Sequence, residues 1–133
     1  MRTILLSVAM CVSCYFYAQE NTWEIYKKID GVIIENTSIE CHDNEILTFR
    51  ITNINNYKVV ISWYEEVWIN DMCKQDGLSQ EHYRSITLFS DESVEGDCTF
   101  KESFYIGSKI RRGNRDLILT SFDLKNIIVQ KVK

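Results

Sequence analysis

Apolar and polar residues alternate with a period of two along most of this chain, a pattern typical of half-buried β-strands. In Leu47–Thr52 every second residue is apolar, and in Val59–Ile69 one face is apolar except at Glu65. Similar runs occupy Trp23–Ile29, Val32–Ile39, Tyr83–Phe89, Phe100–Ile110 and Phe122–Val132. Helical spacing competes with the alternation only at Trp23–Ile29 and Ser79–Tyr83, so the pattern predicts an all-β protein.

Turn-forming residues separate these runs. The chain contains no proline, so Asn, Asp and Gly must form the turns. Asp30-Gly31 lies between two apolar runs and predicts a two-residue hairpin. The other turn signals are Asn53–Asn56, Asp76-Gly77, Glu95–Asp97 and Gly113-Asn114. Seven or eight strands with short polar connections fit two packed antiparallel sheets, and we therefore predict a single, immunoglobulin-like antiparallel β-sandwich.

Residues 1–18 differ from the rest of the chain and have the features of an export signal. Arg2 supplies a positive start, Ile4–Ala18 is apolar apart from two serines, and polar residues follow at once. The apolar run is shorter than a membrane span requires and fits a secretory signal peptide. We therefore predict a signal peptide at 1–18, a β-sandwich domain at 19–133, and a periplasmic, cell-surface or secreted location. The residues before Cys11 and Cys14 are poor lipidation signals.

The charge of the chain narrows the range of partners. The formal net charge is −4 at pH 7, and removal of the segment that contains Arg2 makes it one unit more negative. An acidic domain lacks the electrostatic footprint for nucleic acid or anionic lipid. No other apolar run approaches the length of a transmembrane helix. We therefore expect that the protein binds no nucleic acid and no cofactor and has no membrane span. A protein or a glycan could be its partner, and the sequence does not determine the oligomeric state.

Three cysteines remain after the predicted signal peptide, namely Cys41, Cys73 and Cys98. In an oxidising compartment two of the three would normally pair. If successive strands alternate in direction, two disulfide pairings are compatible with the strand order, Cys73–Cys98 and Cys41–Cys73. The first pairing is slightly favoured. The remaining thiol would then be free or would form an intermolecular bond.

Five segments of the chain together resemble a group of exported proteins. They are Trp23–Val32, Glu40–Asp43, Val59–Trp63, Ser93–Cys98 and Leu119–Ile127. With the Ala18-Gln19 end of the signal, they resemble small uncharacterised exported proteins of Bacteroidota, particularly of flavobacteria. The resemblance implies a β-sandwich. Its motifs are structural, so it carries over no functional residues.

Catalytic and metal-binding chemistry are weakly indicated. Cys41-His42-Asp43, together with Cys73 and His82, has the residue types of a zinc site but lacks the usual paired short spacing. Neighbours on an extended chain also point apart. A small hydrolase that uses Cys41 or Ser79 with a histidine has no recognisable nucleophile motif. We therefore predict no metal site and no catalytic residues.

Glu65 interrupts the apolar face of Val59–Ile69. Its neighbour Glu66 must face the other side of the strand, so the two carboxyl groups cannot flank one glycosidic bond. We expect Glu66 at the surface. Glu65 is expected either at the margin of the sheet or paired with Arg50 or Arg84 across the strands.

The strongest functional lead is the aromatic pair Tyr64 and Trp68, which lies on the face of its strand opposite Trp63. Exposed rings on a sandwich can stack on sugar rings or seat a protein partner. The simpler interpretation is that this strand is central and covered on both faces, so that the rings belong to the core.

A second lead is the basic cluster of Arg111, Arg112 and Arg115 around Gly113-Asn114. Arginine forks can bind carboxylate, sulfate or phosphate in a bidentate manner. The simpler interpretation is a solvated hairpin turn.

The sequence as a whole predicts a non-enzymatic exported module that buries a sheet face or edge against a partner. The alternatives are a carbohydrate-binding module that uses Tyr64 and Trp68, a subunit of a cell-envelope assembly, and a small Cys or Ser hydrolase.

Overall fold

A computed structural model describes residues 21–133 as nine β-strands and two short 3₁₀ turns. The strands are β1 Glu24–Ile29, β2 Val32–Cys41, β3 Asn44–Asn53, β4 Val59–Ile69, β5 Met72–Asp76, β6 Tyr83–Leu88, β7 Ser93–Glu95, β8 Tyr105–Arg112 and β9 Arg115–Lys131. The 3₁₀ turns are Gln80–His82 and Glu102–Phe104. Residues 1–18, which are predicted to be the signal peptide, lie outside the described range.

The predicted fold class, a single antiparallel all-β domain of the sandwich type, is confirmed. Every strand pair is antiparallel. There are nine strands rather than seven or eight because the short β5 and β7 show little apolar alternation. The Asp30-Gly31 hairpin is confirmed, since Ile29 pairs with Val32 and both turn residues have a positive φ. Within residues 21–133 no helix has the length and apolarity needed to cross a bilayer.

The two layers are parts of one curled sheet. The strand order is β1-β2-β3-β8-β9-β4-β5, while β6 also pairs with β4 and β7 with β3. β9 pairs with β8 through Arg115–Ile118 and with β4 through Leu119–Lys131. A single long strand therefore passes from the first layer, β1, β2, β3, β7 and β8, to the second, β4, β5 and β6.

The core lies where the inner faces of the two layers meet. Phe49 and Ile51 of β3 and Ile61 and Trp63 of β4 are at most 1% exposed and belong to the same cluster. These are the residues that the alternation places on one face of each strand. Burial of each such side chain contributes about 1.5–3 kcal/mol to the stability of the fold. The inner face of β4 is therefore firmly packed against the opposite layer.

The disulfide links Cys41 to Cys98, with Cα atoms 5.5 Å apart, so the favoured Cys73–Cys98 pairing and the alternative Cys41–Cys73 pairing are both wrong. β7 runs antiparallel to β3, and Glu95 lies opposite Arg50. The chain that follows β7 therefore passes along β3 towards its start, where Cys41 pairs with Asn44. Cys73 lies in β5, in the other layer, where it is exposed.

Candidate functional site

β4 presents different chemistry on its two faces. Its residues alternate between buried and half-buried from Val59 to Trp68. Glu65 faces the interior, whereas Tyr64 and Trp68 are half-buried on the outer side. The interpretation that both rings belong to the core is therefore wrong. β4 is central in its layer, but only its inner face is covered by the opposite layer.

Tyr64, Glu66, Trp68, Tyr83 and Lys125 form what we call the outer aromatic face. The rings of Tyr64 and Tyr83 are cross-strand neighbours in an edge-to-face arrangement with centroids 5.3 Å apart. The Trp68 indole Nε1 donates a hydrogen bond of 2.8 Å to Glu66 Oε1, and Lys125 forms an ion pair with the same carboxylate. These contacts fix the orientation of the rings at the surface.

Carboxylates occupy neighbouring positions on three strands at this face, although the Asp123 carboxylate accepts a hydrogen bond from Tyr26 of β1 in the other layer. Glu66 of β4 is opposite Asp76 of β5 and Asp123 of β9. Hydrogen bonds from Lys125 and then from Trp68 lower the pKa of Glu66. The hydrogen bond from the backbone N–H of Leu78 is the main cause that lowers the pKa of Asp76. Glu66 and Asp76 are therefore ionised at neutral pH and cannot serve as proton donors there.

The basic cluster is an exposed hairpin tip. Arg112 and Arg115 are directly opposite each other across Gly113-Asn114, and Arg111 is opposite Asp116. Because adjacent strand residues point to opposite faces, Arg111 lies on the other side of the hairpin from Arg112 and Arg115. The three guanidinium groups do not converge on one anion. The geometry fits a solvated turn, and anion binding by these residues stays a prediction.

The histidine-containing cluster differs from a Ser–His–acid relay. Ser79 Oγ and Asp76 Oδ1 lie 3.3 Å and 3.1 Å from the same ring atom, His82 Nδ1. Glu81 Oε1 lies 3.5 Å from the other ring nitrogen, Nε2, but this exposed carboxylate also accepts a hydrogen bond of 3.3 Å from the Ser79 hydroxyl. In a relay the hydroxyl donates to the histidine, and the acid binds only the other ring nitrogen. Cys41, the other nucleophile considered, is committed to the disulfide. His42 is exposed beside it.

Glu65 is the one charged residue on the inner face of β4, and it lies near Arg84, one of the two partners expected from the sequence. Its side chain is 3% exposed, and its Oε2 atom is 3.6 Å from Arg84 Nη2. Arg50, the other expected partner, instead binds Glu35 through two hydrogen bonds of 2.7 Å and 2.9 Å. Burial raises the pKa of Glu65 to about 7, and Arg84 partly opposes this shift.

Other residues around Glu65 gave no signal in the sequence. Gln75 belongs to the short strand β5, outside every alternating run. Glu102 lies within the run Phe100–Ile110, but the structure places it in a 3₁₀ turn rather than in a strand. Only the break in the apolar face at Glu65 indicated this region.

No protein-family model, curated protein or solved structure matches the chain.

Proposed function

We propose that the protein is a non-enzymatic, exported binding module that recognises an uncharged glycan through the outer aromatic face. The observation that carries this proposal is the placement of Trp68 and Tyr64, half-buried on an outer sheet face and held by fixed contacts. Aromatic rings of this kind offer a large apolar surface at low entropic cost. The disulfide-linked sandwich beneath supplies a rigid support.

The mixture of groups on the face favours a glycan over a protein partner. The core of a protein interface is depleted of charged residues, yet Glu66 and Lys125 lie between Trp68 and the tyrosine pair. A sugar ring needs both an apolar surface for stacking and polar groups for its hydroxyls. Tyr64 and Trp68 are four residues apart on one strand, about 13 Å, which suits an oligosaccharide better than a single ring.

The carboxylates on this face support binding rather than hydrolysis. A glycosidase needs one carboxyl group that is protonated at its working pH, which requires a raised pKa. The pKa values of Glu66 and Asp76 are instead lowered. These groups suit hydrogen-bond acceptance from sugar hydroxyls.

The substitution Trp68→Ala tests the proposal. Against an array of neutral cello-, xylo-, laminari- and chito-oligosaccharides, we expect the wild-type protein to bind at least one class. The variant should bind the same oligosaccharide about tenfold more weakly or worse, because it loses the stacking surface. Titration calorimetry measures the affinity, and circular dichroism checks the fold.

The matched control is Phe89→Ala, since Phe89 is a 63%-exposed aromatic residue outside the outer aromatic face. Its loss should leave oligosaccharide binding unchanged. The proposal fails if no oligosaccharide binds, if Trp68→Ala binds normally, or if that substitution unfolds the protein, which would make Trp68 a structural residue.

The exposed thiol of Cys73 favours a second candidate function, that of a subunit in a cell-envelope assembly. Cys73 forms no disulfide with the other described cysteines, and an oxidising compartment would favour its pairing with another chain. In protein isolated without reduction, an assembly subunit should give a covalent species that both reduction and Cys73→Ser remove. Gel filtration and intact mass measure it. A single monomer mass under both conditions would count against this candidate.

A further inference from the structure

A cavity of about 310 Å³ lies beneath β4, on the side opposite the outer aromatic face. Glu65 of β4, Gln75 of β5 and Arg84 of β6 form its polar wall. The apolar part of the lining comes from β4, β8 and β9 and consists of Val67, Ile69, Ile106, Ile110 and Leu117. This volume and this mixture of lining residues are typical of a small-molecule pocket.

Four buried polar atoms in the described part of the chain lie without a close hydrogen-bond partner, namely Trp63 Nε1, Glu65 Oε1, Gln75 Oε1 and Arg84 Nε. Trp63 and Glu65 share the inner face of β4, and the Trp63 indole is a hydrogen-bond donor that lowers the pKa of Glu65, so these two groups serve each other. Gln75 Oε1 and Arg84 Nε remain. Buried polar atoms nearly always have a partner, so an acceptor and a donor left open on one wall point to polar groups from outside the chain.

Arg84 is held in place by its other nitrogens. Its Nη1 atom donates hydrogen bonds to the backbone oxygens of Glu81 and Tyr83, at 2.9 Å and 3.0 Å. Its Nη2 atom lies 3.3 Å from Glu102 and 3.6 Å from Glu65. The guanidinium therefore offers Nε as a fixed donor, which reduces the entropic cost of binding.

The charges around the cavity balance one another. Above about pH 7, where Glu65 is ionised, Glu65 and Glu102 are matched by Arg84 and Lys74, which also line it. A charged ligand would leave one of these groups uncompensated in a partly desolvated site, which is costly. A neutral ligand would instead accept a hydrogen bond from Arg84 and donate to Glu65 and Gln75.

We infer that the cavity binds a small uncharged molecule with an apolar body and two or more hydroxyl or amide groups at one end. The polar end lies against Glu65, Gln75 and Arg84, and the apolar body against the side chains of β8. This site does not depend on the proposed glycan site, because the two lie on opposite faces of β4.

Three probes that share one ring test the inference by amide NMR titration of the full domain. They are trans-1,2-cyclohexanediol, cyclohexanecarboxylate and cyclohexylammonium. The diol should cause saturable shifts in β4, β5 and β8 and bind at least about fivefold more tightly than either charged analogue. The indole N–H signal of Trp68 on the outer face should not move.

Two variants and a control complete the experiment. Gln75→Leu removes one hydrogen-bond acceptor and should weaken diol binding about fivefold without loss of folding. The control is Gln130→Leu at an exposed position, which should leave diol binding unchanged. Ile110→Phe fills the apolar wall and should exclude the diol. The inference is overturned if the diol gives no saturable shift, if a charged analogue binds more tightly, or if neither variant weakens binding.

Discussion

Loss of the Cys41–Cys98 disulfide is expected to lower the free energy of unfolding by about 4 kcal/mol. The two cysteines are separated by 57 positions, and a cross-link over a loop of this length removes much conformational entropy from the unfolded chain. Urea unfolding of the Cys41→Ala/Cys98→Ala double variant, followed by tryptophan fluorescence, to which the buried Trp63 contributes, measures the loss.

Cys73→Ala is the matched control for this experiment. Cys73 is exposed and lies outside the disulfide, so its substitution should change the free energy of unfolding by no more than about 0.5 kcal/mol. Equal stability of the double variant and the wild-type protein would contradict the prediction. So would a loss in Cys73→Ala as large as the loss in the double variant.

Glu65→Gln is expected to stabilise the protein above pH 8, by up to about 3 kcal/mol. Burial raises the pKa of Glu65 from 4.5 to about 7 in the folded protein, so the folded state holds its proton more tightly than the unfolded state. Its contribution to stability is therefore fully present below about pH 4.5 and is lost as the pH rises through 7. Glutamine does not ionise, so the variant does not lose this stability as the pH rises.

The charged groups that face Glu65 modify the size of this effect but not its sign. Arg84 and a hydrogen bond from Trp63 favour the ionised carboxylate, whereas Glu102 disfavours it. Lys74 also lines the cavity. Chemical unfolding at intervals between pH 5 and pH 8.5 should show a fall in stability for the wild-type protein and a flatter profile for Glu65→Gln.

Glu66→Gln is the control for the pH experiment, because it alters the adjacent residue on the opposite face. Hydrogen bonds from Lys125 and Trp68 lower the pKa of Glu66, so its ionisation affects stability only at more acidic pH. Its profile between pH 5 and pH 8.5 should keep the shape of the wild-type profile. A steep fall that persists in Glu65→Gln would show that another group causes the pH dependence.

The strands were predictable because alternation is a local property of the sequence. Most long runs with a period of two became strands, although the run from Phe100 forms a strand only from Tyr105 onward. Glu65, the exception in its run, proved to be a buried carboxylate. Its partner could be narrowed only to Arg50 or Arg84, because the register between β4 and β6 is set by packing rather than by either segment alone.

The cysteine pairing and the cavity depended on contacts that no local pattern encodes. Cys98 reaches Cys41 because β7 pairs with β3 and directs the following segment back along it. Gln75 reaches the cavity through a bulged pairing of β5 with β4. A three-residue strand and a bulge are too short to leave a periodic signal.

The sharing of β9 between the two layers has a consequence for the order in which the chain can fold during its synthesis. β9 is the last of the described strands to leave the ribosome, and neither β8 nor β4 has its full set of partners before that point. The pairings of β3 with β7 and β8 and of β4 with β6 do not require β9, but until β9 is present no strand joins the two layers into one sheet. The entropy of ordering the two layers against each other is therefore compensated only at the end of synthesis.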